Sequence, residues 1–508
     1  MIAEIRSGAV VGIDGFGVTV EIDLATGLPS FTIVGLPNAA VRESRERVTA
    51  AIRNNGFKLP QKRITVNLAP ADVRKEGAAF DLPIAIGILL ASDQLKRAIP
   101  DGAVILGELA LDGKLKPVKG VLPIALFARD QGYKTVIVPD TNTREAVAVR
   151  GIEVVPCQNL MEAVHVLQGG TPRQAVIPDQ GEVPTVHELD YDQVFGQHIA
   201  KRALQVAAAG GHHVLMVGPP GSGKTMLARR ISSILPPLDE EEALENAKIM
   251  SVAGELSRRG VSYDRHFRAP HHSASDAGLV GGGRRASPGE ITFAHNGVLF
   301  LDELTEFRRN VLEALRQPIE EGRIVISRAH ACCSYPAKFQ LIAAMNPCPC
   351  GYHGSPNHAC RCSPLQVQRY LSKISGPLLD RVAIHIQVCA VDPREMEPGG
   401  HPRGLGSEEL REGVLRSFMI QRVRYRGMEG IRRNADVPVS RLEEFCPMTE
   451  RAEQLLSDAQ RKLLFSARGR RNIIQVARTI ADLEGSGLIE DTHIGEAVQY
   501  RIPRFLEG

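Results

Sequence analysis

The segment from Gly218 to Thr225 combines residue types that bind the phosphates of a nucleotide. Glycines let backbone N–H groups approach a polyphosphate with no Cβ in the way. Lys224 supplies a positive charge for the β- and γ-phosphates, and the Thr225 hydroxyl is a ligand for Mg²⁺. The predicted nucleotide-binding residues are Gly218, Pro219, Pro220, Gly221, Ser222, Gly223, Lys224 and Thr225.

Two carboxylates end a second apolar run, Gly297-Val298-Leu299-Phe300-Leu301-Asp302-Glu303. On a strand beside the phosphate-binding loop, Asp302 would hold Mg²⁺ through its water shell. Glu303 would be the general base that polarises the attacking water. This pattern is a Walker B element, and it predicts nucleotide hydrolysis with Mg²⁺ as cofactor. A strand that ends in two solvated acids is the alternative.

Asn346 ends a third apolar run, which begins at Ile342. On a strand adjacent to the Walker B strand, this amide would hold the catalytic water against the γ-phosphate, the role called sensor 1. The alternative is an asparagine that caps a turn ahead of Pro347.

These side chains need strands and helices to position them. Residues 214–217 read as a buried strand before the phosphate-binding loop, and helical spacing of apolar residues continues from Leu227 until Pro236. Near the amino terminus, residues 63–68 alternate as a half-buried strand does, and residues 41–52 form an amphipathic helix that stops at Asn55-Gly56. The fold class predicted is therefore α/β.

Composition limits the possible classes of protein. A chain of 508 residues is long enough for several domains, and a net charge of +3 is too small to indicate nucleic-acid binding by itself. The longest apolar stretch is too short for a bilayer, and the first residues lack the pattern of a signal peptide. We therefore expect a cytoplasmic protein with no membrane partner.

The predicted domains follow shifts in composition. Residues 1–170 alternate strands and helices, and residues 171–185 read as a polar, proline-bearing linker. The nucleotide-binding core spans residues 186–392, with a cysteine-rich insertion at 347–363. Residues 393–508 begin with a Pro- and Gly-rich stretch and continue as a mostly helical domain.

Four cysteines stand close together in that insertion, as Cys348-Pro349-Cys350 and Cys360-Arg361-Cys362. Four thiolates bind Zn²⁺ tetrahedrally and can hold a loop together. The sequence thus predicts a structural zinc site, with four reduced thiols in a loop as the alternative.

Three strings carry a resemblance to a known family: Phe267-Arg268-Ala269-Pro270-His271-His272-Ser273, then Pro288-Gly289-Glu290 with Ala294-His295-Asn296-Gly297, then Asn346-Pro347-Cys348-Pro349-Cys350-Gly351. With the order of elements, they resemble the YifB/ComM family of AAA+ ATPases, in the magnesium-chelatase and MCM-helicase branch. The resemblance covers nearly the whole chain. It implies a Lon-protease-like (S5-type) α/β domain at the amino terminus, a doubly wound α/β P-loop core and a carboxy-terminal helical lid.

In such ATPases the active site lies between subunits, and a neighbour's arginine stabilises charge on the transferring phosphoryl group. The resemblance places this arginine finger at Arg381 and sensor 2 at Arg468, with Arg478 left open as an alternative. It implies a ring, a homo-hexamer, that hydrolyses ATP. For Arg381 a surface salt bridge is the alternative.

Two basic segments are candidate DNA contacts. Residues 321–342 resemble the β-hairpin that precedes sensor 1 in MCM-type helicases, and this hairpin carries Arg323, Arg328 and His330. A glycine-rich loop carries Arg284 and Arg285. Such donors suit phosphates, although each segment alone could be a solvated turn.

The amino-terminal domain resembles the proteolytic domain of Lon without its chemistry. Lon-type sites need a serine nucleophile and a lysine base. Ala79 occupies the place of the serine, and Leu122 falls where the lysine would be, with Lys119 nearby. No protease activity is expected.

The resemblance implies a DNA helicase that promotes branch migration when DNA is integrated by homologous recombination in natural transformation, with branched DNA and recombination proteins as partners. Two alternatives remain. One is a magnesium-chelatase-like motor subunit, against which the Lon-like domain argues. The other is an ATP-driven protein-remodelling regulator, against which the arginines of the hairpin argue.

Overall fold

The computed structural model describes residues 2–75, 77–95, 102–175, 189–256, 260–283, 287–328, 331–355, 358–390 and 405–501. The chain forms two compact units, one of residues Met1–Pro184 with Asp239–Tyr263, the other of residues Thr185–Leu238 with Asp264–Gly508. Across these described ranges, the helices are all too short or too polar to span a lipid bilayer.

The described residues of the first unit form three small sheets. Its four-stranded sheet has the order β1-β2-β4-β3, with β3 parallel to β4 and the other pairs antiparallel. A parallel sheet has the order β5-β8-β9, and β6 pairs with β7. The strands are β1 (Ile2–Val11), β2 (Asp14–Ala25), β3 (Ser30–Val34), β4 (Arg63–Ala69), β5 (Ala103–Ile105), β6 (Glu108–Leu109), β7 (Leu115–Lys116), β8 (Thr135–Pro139) and β9 (Glu153–Cys157).

Helices cover these sheets and complete the core of the first unit. The helices before the linker are α1 (Ala39–Asn54), α2 (Asp81–Ala91), α3 (Val121–Asp130), α4 (Thr143–Ala146) and α5 (Leu160–Leu167). The sequence-based strand at 63–68 and the amphipathic helix at 41–52 are confirmed by β4 and α1. Helix α2 is buried along nearly its whole length, and the buried carboxylate of Asp81 pairs with Arg47 at 2.6 Å.

One helix of the first unit comes from a later part of the chain. Residues 239–263, which the sequence assigned to the nucleotide-binding core, lie with the amino-terminal unit and contain α8 (Glu240–Ala253). Ser251 of α8 is fully buried; its carbonyl accepts from the Gly120 N–H at 3.0 Å, and its hydroxyl accepts from the Leu122 N–H at 3.3 Å. Burial raises the pKa of the neighbouring Glu145 carboxyl to about 7.

The second unit is built on a five-stranded parallel sheet of order β11-β14-β17-β10-β18. Its strands are β10 (Val214–Val217), β11 (Phe267–Arg268), β14 (Val298–Leu301), β17 (Gln340–Met345) and β18 (Ile384–Gln387). Residues of β10, β14 and β17 are buried throughout, as expected for central strands of a parallel sheet. Two antiparallel pairs complete the strands: β12 (Gly281–Gly282) with β13 (Ser287–Pro288), and β15 (Arg323–Arg328) with β16 (Ala331–Pro336).

The helices of the second unit surround the sheet and form the carboxy-terminal lid. Those of the core are α6 (His198–Gly210), α7 (Lys224–Arg229), α9 (Asp276–Val280), α10 (Glu290–Phe293), α11 (Arg309–Ala314), α12 (Arg316–Glu321), α13 (Pro364–Leu371) and α14 (Gly376–Leu379). Those of the lid are α15 (Ser407–Arg424), α16 (Leu442–Phe445), α17 (Glu450–Leu463), α18 (Ala467–Glu484) and α19 (Asp491–Gln499). Helices α15 and α18 pack on α6, so that one hydrophobic core joins the lid to the sheet.

The helix after the phosphate-binding loop is shorter than its apolar spacing predicts. It ends as an α-helix at Arg229 and continues as a 3₁₀-helix, Arg230–Ser233. Arg230 donates to the Asp190 carbonyl at 2.6 Å, and the Tyr191 hydroxyl donates to the Leu227 carbonyl at 3.0 Å. These bonds attach α7 to the segment that precedes α6.

Candidate nucleotide site

The predicted nucleotide-binding motifs meet at one edge of the five-stranded sheet. Val217 pairs with Met345, and Leu301 pairs with Ala343, in parallel register. The phosphate-binding loop, the Walker B acids and Asn346 therefore follow the carboxyl ends of adjacent strands, where ligands bind in open α/β sheets.

Lys224 is held inside the phosphate-binding loop. Its ammonium group donates to the carbonyls of Gly218 and Pro219 at 2.8 Å each, and lies 3.3 Å from Asn346 Oδ1. Burial lowers the pKa of Lys224, against the opposing effect of the Asp302 and Glu303 carboxylates. Lys224 and Asn346, predicted from separate motifs, thus lie in direct contact.

The predicted Mg²⁺ ligands also lie together. The Thr225 hydroxyl donates to Asp302 Oδ2 at 2.7 Å. A hydroxyl and a carboxylate at this separation fit the oxygen ligands that Mg²⁺ takes in P-loop sites, the carboxylate through water.

Glu303, the predicted general base, has a backbone conformation that is rare for a residue with a side chain. Its φ of 51° is left-handed, and its N–H donates to Asp302 Oδ1 at 3.0 Å. Its Oε2 lies 3.3 Å from His272 Nδ1. The sequence identified the string that contains His272 as a family marker but assigned no role to the imidazole.

Replacement of His272 by alanine should slow ATP hydrolysis about tenfold with little change in KM, because Glu303 would lose the ring nitrogen that lies 3.3 Å from its Oε2. A tenfold change in rate corresponds to about 1.4 kcal/mol of transition-state stabilisation. The matched control is His271→Ala. The His271 ring is tilted by 34° relative to the His272 ring, with the ring centroids 4.1 Å apart, and its Nδ1 is hydrogen-bonded with the Ser273 hydroxyl. Steady-state kinetics of both variants provides the measurement. Equal losses in the two variants would contradict a specific role of His272 at Glu303.

Gln197 is a second residue for which the sequence indicated no role. It precedes α6 with a left-handed φ of 55°, and its side-chain amide donates to the Cys389 carbonyl at 2.6 Å and the Ser222 carbonyl at 3.4 Å. It therefore connects the phosphate-binding loop to the end of β18.

The two predicted catalytic arginines share one carboxylate. Arg381 and Arg468 both pair with Glu320 of α12, Arg468 at 2.5 Å. The Arg381 side chain is only 7% exposed, and its Nε has no partner among the described residues. The Arg381 guanidinium is the main cause that lowers the pKa of Glu320. Glu320 was not identified from the sequence.

The alternative sensor 2, Arg478, lies inside the lid. Its side chain is 1% exposed and donates to Asp482 at 3.1 Å and to the carbonyls of Ser486 and Gly487. Asp482 also accepts from Arg424. The geometry favours Arg468, whose guanidinium is partly exposed.

The four predicted zinc ligands converge. The sulfur atoms of Cys348, Cys350, Cys360 and Cys362 lie within 4.8 Å of one another. The Sγ–Sγ distances are 3.3 Å from Cys348 to Cys350, 3.7 Å from Cys348 to Cys360 and 3.6 Å from Cys350 to Cys360. A tetrahedron with Zn–S bonds of about 2.3 Å has edges of about 3.8 Å, so the donor set fits Zn²⁺. Backbone N–H donors from Arg361 and Tyr352 lower the pKa of Cys350 to about 6.

The candidate DNA contacts are described only in part. Arg284, Arg285 and His330 lie outside the described residues, as does the side chain of Arg328. Strands β15 and β16 form the expected antiparallel hairpin. Arg323, at its base, is 62% exposed and pairs with Glu321 at 3.3 Å.

The Lon-like positions hold no nucleophile and no base. Ala79 accepts from the Gly107 N–H through its backbone, and Leu122 is fully buried in α3. The stem of Lys119 lies beside Gly254, the residue that ends α8.

A parallel sheet with a phosphate-binding loop, two acids and an amide at one edge, joined to a helical lid, defines a P-loop ATPase of the AAA+ class. Three family models match the chain. "Magnesium chelatase, subunit ChlI" matches residues 190–396, "Subunit ChlI of Mg-chelatase" residues 20–142, and "Magnesium chelatase, subunit ChlI C-terminal" residues 404–501. ATP and Mg²⁺ are the substrate and metal that this class implies.

Individual relatives identify the family. The chain is 45% identical to "Competence protein ComM" of Haemophilus influenzae over 98% of this chain and 97% of that protein. It is 42% identical to YifB of Escherichia coli over 98% and 96%. The protein belongs to the YifB/ComM family of AAA+ ATPases. It is also 27% identical to Lon protease 2 of Bacillus subtilis, over 27% of this chain and 26% of that protein.

The family matches differ from one expectation. The sequence predicts that the Lon-like domain distinguishes this chain from chelatase motor subunits, but a chelatase family model matches residues 20–142, within that domain. The amino-terminal unit therefore does not argue against a chelatase-like role.

Proposed function

We propose that this protein is an ATP-driven DNA motor, assembled as a ring of six identical subunits, that promotes branch migration when DNA is integrated in natural transformation. The observation that carries the proposal is the 45% identity, over nearly the full length, to a protein named for competence. Hydrolysis of ATP at the nucleotide site would supply the energy for this motor.

In the proposed reaction, Lys224 moves from the carbonyls of the loop to the β- and γ-phosphates. Thr225 and Asp302 would hold Mg²⁺, which would supply positive charge against those phosphates. Glu303, oriented by His272, accepts a proton from the attacking water, and Asn346 holds that water in line.

The ring is supported by the arginines around Glu320. Arg381 and Arg468 lie together on one carboxylate, which suits their delivery as a pair to the phosphates of a neighbouring subunit. An arginine that reaches a developing charge from the next subunit makes hydrolysis depend on assembly.

The DNA partner is supported by the β15–β16 hairpin, whose exposed Arg323 offers a guanidinium to phosphates. The glycine-rich loop with Arg284 and Arg285 is proposed as a second contact. Branched DNA and recombination proteins are the proposed partners.

A structural zinc ion is proposed at Cys348, Cys350, Cys360 and Cys362, since the four sulfur atoms have the spacing of a tetrahedral site. No peptidase activity is proposed for the amino-terminal unit, because Ala79 and Leu122 provide neither nucleophile nor base.

A chelatase-like motor subunit is the second candidate, because three chelatase family models together cover most of the chain. The two candidates differ in the macromolecule on which the motor acts. The first acts on DNA, whereas a chelatase-like motor would act on a protein partner. DNA should then leave its ATPase rate unchanged.

Purified protein with ATP and synthetic four-way and three-way DNA junctions is expected to yield strand-exchange products, with ATP hydrolysis stimulated by DNA. Arg323→Ala should weaken DNA binding and reduce the slope of log K against log salt by about 1, since one phosphate contact is lost. Gel analysis of the products and binding titrations at several salt concentrations provide the measurements.

The matched control is Arg416→Ala, because Arg416 is 68% exposed on lid helix α15 and pairs with Glu412 along its own helix. This control should bind DNA as the natural protein does. An ATPase rate indifferent to DNA, with no movement of either junction, would refute the DNA motor and favour the chelatase-like candidate.

A further inference from the structure

The cysteine cluster, formed by Cys348, Cys350, Cys360 and Cys362, begins two residues after Asn346, the predicted sensor 1. Strand β17 ends at Met345, so the polypeptide passes directly from the nucleotide site into the cluster. Cys348 is fully buried there, and its sulfur accepts from the His353 N–H at 3.3 Å.

The turn of the cluster contacts the phosphate-binding loop. Gly351 has a left-handed φ of 85°, and a Cβ on this residue would lie 2.4 Å from Pro220 Cδ. Real Cβ atoms do not approach a neighbour so closely, so the backbone at Gly351 packs directly on the ring of Pro220. Lys224, which follows Pro220 by four residues, contacts Asn346.

The far end of the cluster returns to Asn346. Cys362 directly precedes Ser363, which caps helix α13 with its hydroxyl. From that helix, Tyr370 lies close to the Asn346 backbone: burial raises the pKa of the Tyr370 hydroxyl, and the nearby Asn346 backbone opposes that rise. The cluster therefore lies between two contacts with the nucleotide site, at Pro220 and at Asn346.

We propose that the metal bound by the cysteine cluster positions the phosphate-binding loop and Asn346, so that metal occupancy and nucleotide binding are energetically coupled. The inference rests on the proposed zinc centre. It assigns to the metal a second role, in addition to holding the cysteine-rich loop together. With four thiolates joined to one ion, the Gly351 turn and the start of α13 are fixed relative to β17. Without the ion, the support for Pro220 and for Asn346 is lost together.

Coupling of this kind is reciprocal: if the metal favours nucleotide binding, nucleotide must favour metal retention by the same factor. A non-hydrolysable ATP analogue should therefore slow the release of zinc to a chromogenic chelator by about fivefold or more, the lower range of such couplings. This measurement uses the natural protein and needs neither hydrolysis nor DNA.

Two glycines of the same loop provide a matched pair of variants. Gly351→Ala should retain one zinc per chain, bind a fluorescent ADP at least tenfold more weakly, and lose the protection of zinc by nucleotide. Gly354 also has a left-handed φ, 72°, but a Cβ there would meet no described atom within 4 Å. Gly354→Ala thus carries the same backbone cost and should behave as the natural protein.

The results of these experiments distinguish the coupling from the proposed zinc centre and the proposed ATPase site. Zinc retained at one per chain, with release equally fast with and without nucleotide, would overturn the coupling alone. Equal ADP affinities of the two glycine variants would do the same. A purified protein with no bound zinc would overturn both the coupling and the zinc centre, and a protein that binds no nucleotide would overturn the ATPase site as well.

Discussion

Replacement of Glu303 by glutamine is expected to lower the rate of ATP hydrolysis by about 10²–10⁴-fold while ATP still binds. Glutamine has the size of glutamate and can still donate to a water, but it cannot accept the proton that the attacking water loses. Glu303 follows β14 directly, and Asp302, which would hold Mg²⁺, is left in place. A hydrolysis assay with a parallel binding titration of a fluorescent ATP analogue provides the measurement.

The control for this variant is Glu306→Gln. Glu306 lies three residues further along, carries the same charge and pairs with Lys373 at 3.7 Å. Loss of the Glu306 charge should leave the rate of ATP hydrolysis within about twofold of that of the natural protein, because most surface ion pairs contribute little free energy. Hydrolysis by Glu303→Gln at the natural rate would place the general base elsewhere.

Mixing two inactive variants is expected to restore hydrolysis. Lys224→Ala subunits lack the phosphate ligand of their own site but keep Arg381, and Arg381→Ala subunits keep an intact loop. If arginine acts on the neighbouring subunit, then about a quarter of the interfaces in a randomly mixed ring combine an intact loop with an intact arginine. ATPase activity of the 1:1 mixture should therefore rise far above that of either variant alone.

The matched control mixes Arg381→Ala with the double variant Lys224→Ala/Arg381→Ala, which supplies no arginine to any interface and should restore nothing. Restored activity in the first mixture only would support a shared site. Absence of recovery, with mixed rings present by native mass spectrometry, would assign Arg381 to its own subunit and favour the salt bridge with Glu320 as its role.

Much of the nucleotide site was predictable because its motifs are local. The phosphate-binding loop needs only consecutive residues between a strand and a helix, and both elements are present as predicted at β10 and α7. Asp302 and Asn346 were predictable because apolar runs before them indicated buried parallel strands, whose carboxyl ends meet at one edge. The length of α7 was not predictable, since the spacing of apolar residues does not distinguish an α-helix from its continuation as a 3₁₀-helix.

The contacts that connect these motifs were not predictable, because they join residues far apart in the chain. His272 lies at Glu303 only because β11 pairs with β14. Arg468 and Glu320 are 148 residues apart, and nothing in the sequence around Glu320 distinguishes it from other surface acids. Residues 239–263 read as part of the nucleotide-binding core, yet Ser251 is buried against α3 of the amino-terminal unit.

The sequence by itself determined the chemistry of this protein: a phosphate-binding loop, a Walker B pair, an amide, four clustered cysteines and a Lon-like domain without nucleophile or base. Each depends on residue type and short spacing. Only the tertiary structure decided which groups lie in contact, namely His272 with Glu303, Glu320 with both arginines, and Gly351 with Pro220. Those pairings depend on strand order and on close packing between segments that are distant in sequence, and residue spacing carries no information about either.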